Sequence, residues 1–430
     1  MLRGRAEYMP LNVLVFPCGS ENAAEIHQAL IHSVHVRLHG ASSVDDHGRQ
    51  LFELYQGDLP RIGDPEFDDA FVALLRHWQI DLVFATHDTV QAYLSQARER
   101  FGVGLINDDA RTCAIARRKS LTYAEFADQP WVPDVYTDTA QVVRWPAVTK
   151  PDLGQGGQGF ALVAGPQAAL AAMAATTLPL LVEYLPGEEI TVDCFTDFEH
   201  ALRWVGPRAR ERVRAGISMR STFPAADPQI TQIAEVINQR LRLRGPWFFQ
   251  LKRDHSDRWK LLEISCRVAG SMVAQRARGV NLPLMAVHDR LGRKVSALPQ
   301  YAVDLVERRI LTVAQMNQPF DTVYIDFDET VIRDGSAIAS TLYFLYRMLA
   351  KGKRLVLLTR HAGDPLITLR KARIAAELFD EIIHITDDRA KSSFIVGKAI
   401  FIDNHFPERL DVATHCGIPV FDVDALEFIS

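Results

Sequence analysis

Five cysteines in 430 residues is a low and odd count, and they stand far apart at 18, 113, 194, 266 and 416 with no Cys-x-x-Cys among them. That scatter excludes a disulfide framework and a zinc ribbon, and it suits a reducing compartment. No surplus of one charge stands out either: the net charge is −5, so no global basic field favours a nucleic-acid backbone. The densest positive run, Arg203, Arg208, Arg210, Arg212, Arg214 and Arg220, has no interleaved aromatics of the kind that stack on bases. It reads as a solvated loop, with gathering of anionic substrate as a second option. Long apolar runs are missing too. The stretch Ala168–Leu185 is broken by Thr176, Thr177, Pro179 and Glu183, and reads as an amphipathic helix followed by a strand. Met1–Glu7 are too polar for the centre of a signal peptide, so a cytoplasmic location is expected, with neither membrane nor nucleic acid as partner. Internal repeats and low-complexity segments are also lacking. The histidines at 27, 32, 35, 39 and 47 form no ligand set, because no cysteine or acid completes the His35/His39 pair.

What is present is ordinary globular material, 48% hydrophobic and 23% charged, in a chain long enough for two or three domains. Leu11–Phe16 is an apolar run that stops at Cys18-Gly19-Ser20 and leads into a helical stretch from Asn22 to Ile31. Asp81–Thr86 repeats the theme. Residues 1–115 therefore read as an open α/β unit on a parallel sheet. From 116 to 300 the strands carry charges near their ends, at Lys150, Glu183, Glu189, Asp193 and Glu263, which predicts an α+β domain facing a cleft. Residues 301–319, flanked by Pro299 and including Pro319, read as a linker. Residues 320–430 alternate strand and helix as a compact doubly wound unit.

Two patterns carry chemistry. The first is Lys150 followed by Gly154, Gly156, Gly157 and Gly159, a lysine and a glycine-rich loop whose backbone N–H groups can wrap an anion. It is neither a Walker loop nor a dinucleotide fingerprint. Behind it come Glu183-Tyr184-Leu185, Glu189, Gln250 and Glu263-Ile264-Ser265-Cys266-Arg267. In this order the motifs resemble the ATP-grasp superfamily, especially its carboxylate–amine ligases and carbamoyl-phosphate-synthase-like members, over roughly residues 11–295. The resemblance implies that Lys119 and Lys150 touch the ATP phosphates and that Gly154–Gly159 close over them. It implies that Glu183, with the backbone of Tyr184 and Leu185, holds adenine and that Glu189 takes the ribose. Gln250, Glu263 and Ser265 would hold Mg²⁺ or Mn²⁺, and Arg267 would steady the transferring phosphoryl group. Ser265 departs from the asparagine usual there, which puts the second metal contact in question.

The second pattern is Asp326-Phe327-Asp328-Glu329-Thr330 at a strand end. Period two places both aspartates on one side, at the edge where open α/β sheets bind ligands. Thr359, Lys391 and Asp403 follow at later element ends. Residues 320–430 resemble the haloacid-dehalogenase-like hydrolases, in a form whose short spacings leave no room for a large cap. The resemblance implies that Asp326 is the nucleophile, Asp328 the general acid and base, and Thr359 and Lys391 the phosphoryl binders. Asp326, Asp328 and Asp403 would supply the Mg²⁺ site, with Asn404 where a second acid is common. Together the two patterns predict an ATP-dependent amide-forming ligase fused to a phosphatase, acting on a small carboxylate, an amine and a phosphoester. Two alternatives stand beside it: a phosphatase whose ATP-binding half is a nucleotide sensor, and a non-catalytic assembly module. A homodimer is one option for the oligomeric state.

Overall fold

The structure, a computed structural model, describes residues 9–154, 159–214, 217–309 and 311–429. The chain divides into two compact units, Met1–Arg309 and Ile310–Ser430, with the division inside the stretch read as linker.

The first unit opens with a parallel sheet of β1 (Leu11–Phe16), β2 (Val36–Ala41), β3 (Leu54–Gln56), β4 (Leu82–Ala85) and β5 (Gly104–Leu105), in the order β3-β2-β1-β4-β5. Alternation in β1 explains its layering. Val13 and Val15 pack with Ala23, Ile26 and Leu30 of the helix Glu21–Leu30. Leu14 and Phe16 pack with Phe67, Phe71 and Leu74 of the helix Phe67–His77 on the other face.

Two antiparallel sheets follow. One joins β6 (Val135–Tyr136), β7 (Ala147–Pro151), β8 (Ala161–Val163) and β9 (Pro179–Glu183) in the order β6-β9-β7-β8. The other joins β10 (Glu189–Thr196), β11 (Leu202–Ala209), β14 (Gly245–Arg253) and β15 (Trp259–Ser265) in the order β11-β10-β14-β15. Ile190, Val192, Cys194, Trp247, Phe249 and Leu251 share one face with Ile230, Ile233 and Ile237 of the helix Pro228–Arg240. Period two then turns Thr191, Asp193 and Gln250 to the other face. A third sheet was not foreseen: β12 (Arg212–Arg214), β13 (Ile217–Thr222) and β16 (Leu305–Glu307) pair antiparallel. Residues 305–307, read as linker, are thus an edge strand of the first unit.

The second unit is a parallel sheet of β17 (Thr322–Ile325), β20 (Arg354–Thr359), β21 (Glu381–His384), β22 (Ala399–Ile402) and β23 (Val420–Phe421), ordered β21-β20-β17-β22-β23. A small hairpin, β18 (Ile332–Arg333) with β19 (Ser336–Ala337), and the helix Ala339–Ala350 fill the connection from β17 to β20. Val323, Ile325, Leu355 and Leu357 lie in one core layer, and Tyr324, Val356 and Leu358 in the other. The helix begun at Pro365 stops at Lys371, and Lys391 opens a short 3₁₀ turn, Lys391–Phe394. Among the described residues no helix is long and apolar enough to cross a membrane.

Candidate functional site

In the first unit, five sequence-predicted residues meet. Lys119 Nζ donates to the Gly154 carbonyl at 3.3 Å and lies 3.7 Å from Glu263 Oε2. Gln250 and Glu263 are register partners on β14 and β15, so an amide and a carboxylate stand side by side. Immediately beyond, the register slips: Gln250 faces Glu263 but Leu251 faces Leu261, which leaves Leu262 as the extra residue of a bulge. The freed Leu262 carbonyl accepts from Tyr123 Oη at 2.8 Å, and Lys150 Nζ donates to the same hydroxyl at 2.7 Å. Burial, with the neighbouring Lys119 charge, brings the Lys150 ammonium down to about 7 against the pull of Glu263. Burial and the charges of Glu263 and Asp152 push the Tyr123 phenol up, so it stays a neutral donor.

The other predicted residues are placed as follows. Glu183 accepts from the Asp134 amide at 3.0 Å and lies 3.5 Å from Lys260 Nζ, which also donates to the Pro130 and Val132 carbonyls. Leu185 is buried, and the Tyr184 ring meets His255 edge-on. Glu189, the first residue of β10, pairs with Arg210 and with Lys252 at 3.5 Å. Gly159 turns with φ +71°, and a Cβ there would lie 3.0 Å from Pro151 Cδ. Gly156 and Gly157 lie outside the described residues.

Ser265 and Arg267 converge on a residue sequence reasoning passed over. Ser265 Oγ donates to Asp88 Oδ1 at 2.5 Å, and Arg267 Nη2 donates to Asp88 Oδ2 at 2.8 Å. Arg267 also lies over the Phe248 ring at 5.3 Å. Asp88, first residue of the helix Asp88–Gln96, follows the C-terminal end of β4. The pull of Arg267 and Ser265 overcomes burial and keeps the Asp88 carboxyl below its usual range. Ser265, read as a metal ligand, is therefore engaged by a protein carboxylate, and Arg267 is neutralised by it. The arginine run is largely paired. Arg203 meets Asp197, Arg208 is buried on Asp193, Arg212 lies 3.7 Å from Glu307, and Arg220 lies 3.0 Å from Glu211.

In the second unit, Lys391 Nζ bridges Asp326 Oδ1 at 2.6 Å and Asp403 Oδ2 at 2.7 Å, all three almost fully buried. These residues meet because β17 and β22 are parallel neighbours whose C-terminal ends share an edge. Burial brings the Asp326 carboxyl up to about 6, Lys391 pulling it down and Asp403 pushing it further up. Burial opposes the Lys391 charge, yet the two carboxylates outweigh it and hold the ammonium above its usual range. Thr359, fully buried, ends β20 and accepts from the His361 amide at 3.0 Å. Asp328 does not join the Lys391 cluster. Its oxygens lie 2.9 and 3.1 Å from His361 Nδ1, a residue the motif reading missed. Asn404 instead ties down the turn: its amide N–H donates to Thr330 Oγ1, and that hydroxyl donates to Asn404 Oδ1, both at 3.2 Å. Among the described residues no three His, Cys, Asp or Glu side chains converge as a metal-holding group.

Of the three residues missed, two had a signal. Asp88 sits where parallel strands present ligand-facing groups, and Tyr123 lies one helical turn after Lys119. His361 had none beyond its place two residues after Thr359.

The first unit thus joins a parallel sheet to antiparallel sheets and gathers Lys119, Lys150 and Glu263 in one cluster, and its fold is similar to that of ATP-grasp proteins. A family described as "ATP-grasp in the biosynthetic pathway with Ter operon" matches residues 176–317, about a third of the chain. No curated protein matches the chain by sequence. Among solved structures, biotin carboxylase from Campylobacter jejuni aligns at TM-score 0.56 and 14% identity, over 69% of this chain and 74% of that one. An L-amino acid ligase from Bacillus licheniformis aligns at 0.53 and 15%, over 66% and 74%. N5-carboxyaminoimidazole ribonucleotide synthetase from Thermus thermophilus aligns at 0.54 and 16%, over 67% and 81%.

Proposed function

We propose that the first unit is an ATP-dependent carboxylate–amine ligase and the second a phosphatase of the haloacid-dehalogenase-like type, working in one biosynthetic sequence. The observation that carries the ligase half is the convergence of Lys119, Lys150, Gly154 and Glu263, with Gln250 beside Glu263, inside an ATP-grasp fold.

ATP's γ-phosphoryl group would pass to a substrate carboxylate, giving ADP and an acyl phosphate. An amine would then attack the acyl carbon, the C–O bond to phosphate would break, and the amine's proton would leave to solvent as the amide forms. Lys119 and Lys150 would bind phosphate oxygens, Glu183, Tyr184 and Leu185 adenine, and Glu189 the ribose. The protein's part is positioning and charge stabilisation. Gln250 and Glu263 supply the hard oxygen donors that Mg²⁺ takes, and that ion when bound would neutralise phosphate charge. Arg267 reaches the phosphoryl group only by sharing or leaving Asp88.

In the second unit Asp326 Oδ would attack phosphorus while the bond to the ester oxygen breaks and Asp328 gives that oxygen its proton. Water would then attack the aspartyl phosphate, Asp328 taking its proton, to release inorganic phosphate and free Asp326. Thr359 and Lys391 would bind the phosphoryl oxygens. The paired carboxylates of Asp326 and Asp403 have the donor chemistry for Mg²⁺, which would neutralise the phosphoryl oxygens, and Lys391 stands between them now.

The test is ADP release from Mg-ATP across a library of amino acids and small carboxylates, using Asp326→Asn to remove phosphatase background. Stimulation by one acid, followed by an amide found by mass, is the expected result. No stimulation by any acid overturns the ligase reading. The grip of Asp88 on Ser265 and Arg267 favours one second reading, in which the ATP-grasp unit is a nucleotide sensor for the phosphatase. That reading requires phosphatase rates to change with ATP and to lose the response in Glu263→Ala.

A further inference from the structure

The acid/base role falls on a carboxylate that is half exposed and stands outside the buried Lys391 cluster. Left to itself, such a side chain samples several rotamers, and a general acid works only when aimed at the leaving oxygen. His361 removes that freedom. Its Nδ1 lies 2.9 and 3.1 Å from the two oxygens of Asp328. A carboxylate accepts, and so does the C=O oxygen of the protonated acid, so in either state Nδ1–H can donate to Asp328, and in that tautomer Nε2 accepts from Thr368 Oγ1 at 2.8 Å. The ring is fixed on its remaining sides as well. Its edge meets Phe327, the residue between the two aspartates, with centroids 5.2 Å apart at 76°. Its carbonyl lies 2.8 Å from His384 Nε2, and its amide N–H donates to Thr359 Oγ1 at 3.0 Å. One residue thus connects the acid Asp328 to Thr359, the hydroxyl assigned to the phosphoryl group.

We propose that His361 is a positioning residue for Asp328, holding that carboxyl group in the one orientation from which it protonates a poor leaving group. The inference rests on the phosphatase reading and deepens it: the natural substrate is an ester of an ordinary alcohol, whose oxygen must be protonated as it departs. A phosphate on a strongly acidic leaving group would not need so fixed an acid. In the chemical step the proton on Asp328 moves to the ester oxygen as the P–O bond breaks, and the carboxylate left behind is stabilised by the Nδ1–H bond already in place.

The experiment compares glycerol phosphate with p-nitrophenyl phosphate, in Mg²⁺, on the full chain. His361→Ala should lower kcat/KM, which reports the first phosphoryl transfer and not the shared hydrolysis step, about 10- to 100-fold on the alkyl ester while changing it little on the nitrophenyl ester, whose leaving group needs no proton. His361→Asn, whose amide N–H can replace Nδ1–H, should recover most of the loss. Thr368→Val removes only the hydroxyl at Nε2 and should show the same discrimination at smaller size, which keeps the test open should His361→Ala fail to fold. Equal losses on both esters, or none on either, overturn the positioning role. A readout that needs no turnover is the His361 tautomer from long-range ¹H–¹⁵N spectra: Nδ1–H is expected, and Nε2–H overturns the contact. Failure of the unmutated protein to hydrolyse either ester removes the phosphatase reading and the role together, an outcome distinct from selective survival of His361→Ala.

Discussion

Lys150 is the residue whose environment makes the sharpest demand. A lysine buried beside Lys119, with its Nζ on a neutral phenol, loses most of its hold on a proton near neutral pH. The sign for stability follows from the lowered value. Above the ordinary 10.5 the side chain is neutral in folded and unfolded chains alike; as pH falls from 10.5 to about 7 the unfolded chain gains a proton the folded one refuses, and stability is lost across that window. Nucleotide phosphates reverse the balance, because an anion at the ammonium favours the charged form. At pH 8 the free protein holds this proton in only about a tenth of molecules, so binding of Mg-ADP should draw close to one proton from the buffer. Calorimetry in buffers of different ionisation enthalpy measures this directly. A positive slope approaching one at pH 8, shrinking toward pH 6 and absent in Lys150→Met, is expected, whereas a slope of zero at pH 8 would show that Lys150 does not meet the phosphates. The pattern of Lys150 before clustered glycines can be seen in the sequence because it is local. Asp88 was legible only in its place after a parallel strand; its partners Ser265 and Arg267 lie 177 and 179 residues away and only the fold brings them together.

At the scale of elements, β14 and β15 matter most, because their register sets Gln250 against Glu263 and releases the Leu262 carbonyl to Tyr123. The start of β14 is fixed by Gly245, whose φ of +112° no side chain adopts comfortably and whose missing Cβ would lie 2.8 Å from Ile106 Cγ2. Ile106 belongs to the segment that follows β5 and packs in the core of the first sheet, so this close approach ties the two sheets together. Gly245→Ala should cost about 1–3 kcal/mol through backbone strain and crowding. It should also weaken nucleotide binding, as β14 backs away and Gln250 shifts against Glu263. Denaturant unfolding together with nucleotide titration checks both, and an Ala variant as stable as the parent would show that the strand start is not constrained. Strands such as Leu11–Phe16 were readable because alternating apolar residues between turn signals state their own period. The sheet of β12, β13 and β16 was not, because its strands are short and charged and carry no such alternation. Pro299 and Pro319 drew attention to a linker where Leu305–Glu307 pairs with Ser221 and its neighbours.

For the whole molecule, the composition of each unit decides how far it stands alone. The first buries separate cores on both faces of its parallel sheet and another beneath β10 and β14. The second has two complete layers of its own, from Val323 and Leu355 on one face to Tyr324 and Leu358 on the other. The alternation of strand and helix after residue 320 made most of this second sheet legible, because β17, β20, β21 and β22 are long enough to show their period, whereas the two residues of β23 are not. Its 121 residues from Ile310 to Ser430 are within the usual size of an independent domain. A cut after Arg309 keeps β16 on β13, whereas a cut at 300, where sequence reading ended the ATP-binding domain, removes that edge strand. Residues 1–309 and 310–430 made separately should therefore each unfold in one cooperative transition, and a fragment ending at 300 should be the less stable. Calorimetry on the three fragments and the full chain tests this. Two transitions in the full chain that match the fragments would mean that the ATP-binding and phosphoryl-binding residues are organised by separate cores. A single sharper transition in the full chain, with neither fragment folding alone, would mean that the two units depend on each other for stability.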